Sequence, residues 1–219
     1  MLLNVKELKI YLISPGIDKY KARVLTVFER LVTSGFNNIE YVKSVPGSNS
    51  TDSLSRTNLE IMKKELRNGC SRPFMILEDD VNILFEYDRI EVPDDADAIY
   101  FGVSQWVYPY AFNTLGNGYH IRTNSATDIT DTSPLLTRIK GMTSAHAILF
   151  INQEYIRRFI NLMTDRLSYI TPHDLIFATM HASYNVYALK NPMFYQDKSL
   201  GGQENVTKLC YNGVYYTVR

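Results

Sequence analysis

From Leu8 to Asp80 the chain alternates short apolar runs with longer amphipathic ones, and this alternation most restricts what it can fold into. Leu8-Lys9-Ile10-Tyr11-Leu12-Ile13 reads as a strand stopped by the turn residues Ser14-Pro15-Gly16. Tyr20, Val24, Val27, Phe28 and Leu31 then recur at spacings of three and four up to Gly35, which predicts a helix. Ile39 to Val45 reads as a second strand, closed by Pro46-Gly47. Asp52 or Ser53 can cap a second helix whose Leu59, Met62 and Leu66 share one face before Asn68-Gly69. Phe74-Met75-Ile76-Leu77 is a continuous apolar run of the kind buried on both faces of a parallel sheet. The order βαβαβ predicts an α/β fold, a central, mostly parallel sheet flanked by helices.

Beyond Asp80 the pattern loosens. Ala98 to Phe101 reads as a strand ending at Gly102, and Ser104 to Thr137 as a long polar excursion, with Trp106, Tyr108 and Tyr110 as an acceptor platform or a loop-pinning cluster. Ala145 to Ile151 reads as a strand entering a helix through Tyr155, Ile156, Phe159, Ile160 and Met163; Thr171-Pro172 opens another helix. Val186 to Leu189 and Val214 to Val218 are expected late strands. With 219 residues, 45% hydrophobic, and no repeat or linker, one domain over residues 1–219 is expected.

Lys plus Arg equals Asp plus Glu, at 23 each, so net charge draws the chain neither to nucleic acid nor to an anionic membrane. No apolar run approaches the ~20 residues of a membrane span, and Met1 to Lys9 lacks a leader pattern. Cys70 and Cys210 make no disulfide framework and lack zinc-ligand spacing. A soluble chain in a reducing, cytoplasmic compartment is expected.

Glu78-Asp79-Asp80 follows the third strand directly, and in an open parallel sheet ligands bind beyond the carboxyl ends of the strands. Adjacent carboxylates repel unless a cation neutralises them, and hard oxygens suit Mn²⁺ or Mg²⁺, which keep positions open for phosphate. A solvated strand end is the competing reading. A second acidic group, Asp94, Asp95 and Asp97, precedes its strand and is read as a charged turn.

The segment Pro73-Phe74-Met75-Ile76-Leu77-Glu78-Asp79-Asp80-Val81 resembles the central motif of the family 25 glycosyltransferases, the lipopolysaccharide and procollagen galactosyltransferase group. The likeness continues in order through Ser55-Arg56, Asp97 to Gly102, Gly141 to Ile151 with the Tyr155 helix, Pro172-His173-Asp174, and Tyr195-Gln196-Asp197 with Ser199. It implies a nucleotide-diphospho-sugar transferase domain of the GT-A type that uses an acid-x-acid motif for metal and donor. The chain also resembles the compact GT-A domains of large algal viruses, which implies a UDP-hexose donor such as UDP-glucose and, for a viral chain, the host cytoplasm. Departures are Arg56, where that family usually has His, the short length, and no His after position 181.

The expected roles follow. Asp80 is the principal metal ligand, Asp79 a direct or water-mediated one, and Glu78 a ribose or metal-water partner. Ser14, Arg56 and His146 are donor-site candidates, weighed respectively against turn chemistry, a surface salt bridge and a core histidine. His120 and His181 have no supporting context. Asp174 is the candidate general base, although Thr171-Pro172-His173-Asp174 also fits a capping box. The partners are a UDP-sugar donor and the hydroxyl of a glycan or glycoprotein acceptor. The alternatives are a metal-dependent phosphohydrolase or nuclease, and a non-catalytic nucleotide-sugar binding module.

Overall fold

The computed structural model describes residues 1–102, 111–115, 119–123, 133–139, 142, 145–166, 172–202, 209–211 and 214–216. Seven strands form the central sheet: β1 Lys9–Ser14, β2 Ile39–Lys43, β3 Phe74–Glu78, β4 Ala98–Tyr100, β5 Leu136–Arg138, β6 Ala147–Phe150 and β7 Val186–Leu189. Their order across the sheet is β5-β7-β4-β6-β3-β1-β2. The parallel core β3-β1-β2 is the expected βαβαβ unit, joined by helices α1 Asp18–Thr33 and α2 Ser50–Arg67. The later part departs from a uniform direction: β6 is inserted antiparallel between β3 and β4, and β5 is antiparallel to β7. The sheet is therefore mixed. An apolar run such as Ala147–Phe150 carries no direction of its own, since both of its faces are buried either way.

Side-chain alternation divides the core into two layers. Tyr11, Ile13, Phe74, Ile76, Tyr100, Ile148 and Phe150 face α2, α3 (Gln153–Arg166) and α4 (His173–Met180). Ile10, Leu12, Met75, Leu77, Ile99 and Leu149 face the opposite way, with Val27 and Leu31 of α1. The period of two along each strand assigns every residue to a layer. In the first layer Phe159 of α3 stacks on Phe177 of α4 with ring centroids 4.4 Å apart.

Helix starts differ in detail from the sequence expectation. Asn49 caps α2, accepting from the Asp52 amide at 2.9 Å, so Asp52 lies inside the first turn. Pro172 is the N-cap of α4 rather than its first residue, because a fixed φ suits either place and the helical geometry begins at His173. Short strands pair outside the sheet: Leu2–Asn4 with Arg89–Glu91, Val81–Ile83 with Phe194–Gln196, Ala111–Leu115 with Tyr119–Thr123, and Leu209–Tyr211 with Val214–Tyr216. The last of these pairs contains the expected late strand at Val214, which runs over Val214–Tyr216 outside the central sheet. No helix among the described residues is long and apolar enough to cross a membrane.

Candidate functional site

The carboxyl ends of β1, β2, β3, β4 and β7 lie on one edge of the sheet, because these five strands share a direction. Glu78 is the last residue of β3, so the triplet emerges at that edge, as expected. Asp94, Asp95 and Asp97 stand at the other. Asp97 accepts from the Asn185 amide at 2.7 Å and the Asn152 side chain at 2.6 Å, Asp95 accepts from the Tyr187 hydroxyl, and Asp94 meets the N-terminus. The second acidic group is structural.

The triplet is divided: Glu78 ends the strand, Asp79 and Asp80 form the turn after it, and their side chains take different partners. Glu78 and Asp80 share one partner, the side-chain amide of Gln196, which donates to Glu78 Oε2 at 3.2 Å and to Asp80 Oδ2 at 3.4 Å. Asp79 instead forms a buried ion pair with Arg23 of α1. Arg23 also donates to the Leu200 carbonyl at 3.0 Å and stacks over the Tyr20 ring at 4.2 Å. Burial pushes the Glu78 carboxyl well above its ordinary range, reinforced by the charges of Asp80, Asp174 and Asp79. Asp80 is raised by burial too, with Arg23 opposing and Asp79 adding to the rise. A pair of acids destabilised in this way is relieved by a hard cation.

A clasp built from residues 194–202 holds the pair in place. Gln196 ends a strand paired with Val81–Ile83, and the Asp197 amide donates to the Asp80 carbonyl at 2.7 Å. Asp197 caps the turn that follows, accepting from the Ser199 amide at 2.8 Å and from Asn82 at 3.1 Å. Gly202 closes against this turn, where a Cβ would lie 2.8 Å from the Gln196 backbone.

Asp174 sits in the first turn of α4, half-buried, and its charge reaches Glu78. Its Oδ1 accepts from the Leu175 amide at 2.8 Å. Thr171, the other half of the expected capping box, lies outside the described residues, as do Trp106, Tyr108 and Tyr110. The start of α4 is fixed by Ser55 of α2, which accepts from the His173 amide at 3.1 Å.

The remaining candidates are placed as follows. Arg56 pairs with Asp52 at 2.8 Å one turn back on its own helix, the surface bridge weighed against a donor role. His146 offers no exposed face: its ring is buried against Gly102, where an added Cβ would sit 2.0 Å from Nε2, and burial lowers its pKa to about 4. The ring belongs to the core, and only its backbone joins the site, accepting from the Glu78 amide at 3.0 Å. Ser14 stands beyond the Ile13–Glu78 rung, level with Asp79, but is buried and lines a cavity to which the triplet does not contribute. His181 is a core residue between Tyr100 and the Met142 amide.

Arg23 is the charged partner of the triplet that the sequence reading missed. Nothing in the run Asp18-Lys19-Tyr20-Lys21-Ala22-Arg23 distinguishes it from its lysine neighbours; only the packing of α1 on the sheet aims it at Asp79.

No protein-family model matches this chain, and no curated protein matches it. Solved structures similar to it include A197 from STIV, at 13% identity over 97% of this chain and 94% of that one, with a TM-score of 0.47. A glycosyltransferase involved in the glycosylation of the major capsid of PBCV-1 is similar at 12% identity over 75% and 67%, with a TM-score of 0.39. Mannose-1-phosphate geranyltransferase from Thermus thermophilus is similar at 9% identity over 92% and 81%, with a TM-score of 0.45. Every one of these scores is below 0.5, so the likenesses assign no activity to the chain.

Proposed function

We propose that the chain is a metal-dependent glycosyltransferase of the GT-A type, moving a hexose from a UDP-sugar such as UDP-glucose to a hydroxyl of a glycan or glycoprotein. The observation that carries this reading is the shared grip of Gln196 on Glu78 and Asp80 at the carboxyl end of a central strand, where open α/β sheets bind their ligands. Arg23, the cation that meets the triplet among the described residues, is already paired with Asp79. Two oxygen-donor side chains therefore face the ligand edge in want of positive charge. Among the described residues no three His, Cys, Asp or Glu side chains form a metal cage. What supports Mn²⁺ or Mg²⁺ is the pair of hard carboxylates, Glu78 and Asp80, brought together on Gln196, since these ions take one or two carboxylates and leave positions for phosphate oxygens and water.

Asp80 is the principal ligand in this reading and Glu78 the second; Asp79, expected as a ligand, acts through Arg23 to hold the other two. Asp80 and Glu78 would hold the ion, whose chemistry there would be Lewis-acid neutralisation of charge on a departing diphosphate. Gln196 keeps both carboxylates in one orientation. Asp174 takes the acceptor proton while the hydroxyl oxygen bonds to the anomeric carbon and the bond to the diphosphate breaks.

The test is thermal stability with UDP, GDP, CMP and ADP, each with and without Mn²⁺, followed by transfer assays. UDP raises the melting temperature only with Mn²⁺ present, by mass action on the folded state. Asp80→Asn abolishes that increment and transfer while melting near the wild type in the absence of ligand. Asp174→Asn keeps UDP binding and loses roughly 10²–10⁴ in single-turnover transfer. UDP stabilisation that survives chelator overturns the metal bridge, and release of uridine monophosphate without an acceptor assigns a phosphohydrolase instead.

A further inference from the structure

The outer face of α1 is left uncovered by the rest of the described chain. Starting from the N-cap, Ile17, Lys21, Leu25, Phe28 and Val32 follow one another at spacings of four, four, three and four, so they form a single stripe. Ile17 is 53% exposed, Leu25 55%, Phe28 39% and Val32 49%, while Val27 and Leu31 on the inner face are fully buried. Beside the stripe runs β2, the edge strand of the sheet, whose Tyr41 is 46% exposed. Between them lies a cavity of about 510 Å³ walled by Val24, Leu25, Phe28 and Tyr41. A second hollow of about 470 Å³ along Phe28, Val32, Phe36 and Ile39 continues it. Contiguous exposed apolar surface of this kind marks a contact face.

One charge on the stripe and one at its border select the partner. Lys21 and Glu29 stand one turn to either side of Leu25, in the same i, i+4 row, and both are exposed. Neither has an ion-pair partner among the described residues. In the commonest helix crossing, such rows of the two helices run side by side. A two-fold axis at Leu25 reverses the row of the second helix, so each Lys21 meets the partner's Glu29 while the two Leu25 side chains meet at the centre. A surface that is complementary to itself when reversed is what an isologous interface requires. An anionic lipid surface, by contrast, would be repelled by Glu29, one turn from Leu25 at the border of the stripe.

We propose that this face of α1 pairs with the same face of a second copy of the chain, forming a symmetric dimer centred on Leu25. The inference does not depend on the activity proposed above. It is tested by sedimentation velocity on the full chain over a range of concentrations, with circular dichroism to confirm folding. The wild type sediments as a concentration-dependent dimer, and Leu25→Asp as a monomer. Lys21→Glu and Glu29→Lys each place like charges across both symmetry-related contacts and weaken self-association roughly 10- to 100-fold. The two single variants mixed in equal amounts regain association as a heterodimer, and so does the double swap Lys21→Glu/Glu29→Lys with itself. A wild type that stays monomeric at about 100 μM, a weak Kd by any standard, overturns the proposal. So does a dimer indifferent to Leu25→Asp or to both charge changes, and so does a monomer recovered on anionic phospholipid vesicles, which would make the face a lipid-docking surface.

Discussion

Arg23 and Asp79 hold a charge pair with 15% and 5% of their side chains exposed, and the division of the triplet depends on it. Removing the guanidinium by Arg23→Met leaves a buried carboxylate without its cation, and we expect a loss of about 3–5 kcal/mol in urea denaturation. Asp79→Asn costs less, because Arg23 keeps the Leu200 carbonyl and the Tyr20 ring. The double variant recovers part of the Arg23→Met loss, with a coupling energy of roughly 1–3 kcal/mol. Strictly additive losses would mean that the two side chains do not share an interaction. A carboxylate triplet can be read from the sequence, but which of its members faces the ligand cannot. That depends on a residue 56 positions away, on α1, supplying a cation to Asp79 in the turn after the strand.

At the scale of elements, the edge opposite the site is tied by one side chain. Asp97 joins the start of β4 to the loop before α3 through Asn152 and to the loop before β7 through the Asn185 amide. Asp97→Ala removes the acceptor of both; the exposed Asn152 side chain can turn to water, whereas the half-buried Asn185 amide is left without its partner, and the expected cost is about 1–3 kcal/mol. Asp95→Asn, at an exposed turn where only the Tyr187 hydroxyl is met, is expected to change stability by less than about 1 kcal/mol. Equal losses from the two variants, measured by denaturant midpoint at constant slope, would contradict this division of labour. The same comparison bears on function: both acidic groups have the composition of a metal site, and the direction of the adjoining strand separates them.

For the molecule as a whole, buried histidines weaken the fold in acid, while Glu78 and Asp80, whose carboxyls are raised by burial, act in the opposite sense by binding protons in the folded state. Burial lowers His146 to about 4 and His181 to about 3 from 6.5. A histidine that is neutral when folded and charged when unfolded binds more protons in the unfolded state. Its contribution is therefore fully present above about pH 6.5 and is lost as the pH falls through 6.5 toward 4 and 3. Because Glu78 and Asp80 oppose this loss, the histidine contribution is read as a difference: unfolding free energy should fall less steeply with decreasing pH in His181→Gln, which can still accept from the Met142 amide, than in the wild type. An unchanged slope in the variant would place the His181 ring in contact with solvent.

The sequence by itself determined the first half of the fold. Apolar runs ended by Pro and Gly, alternating with stripes of period 3.6, suffice to specify three parallel strands, their two connecting helices and an acidic triplet at the carboxyl end of the third, because each signal is local. Tertiary structure decided what depends on contacts distant in the chain. The insertion of Ala147–Phe150 against its neighbours' direction, the burial of His146 beneath Gly102 and the clasp that seats Gln196 over Glu78 and Asp80 all belong here. A fully buried strand is apolar whichever way it runs, and a histidine or glutamine has the same local propensity in a core as in a pocket. Only the packing of one element on another separates those outcomes.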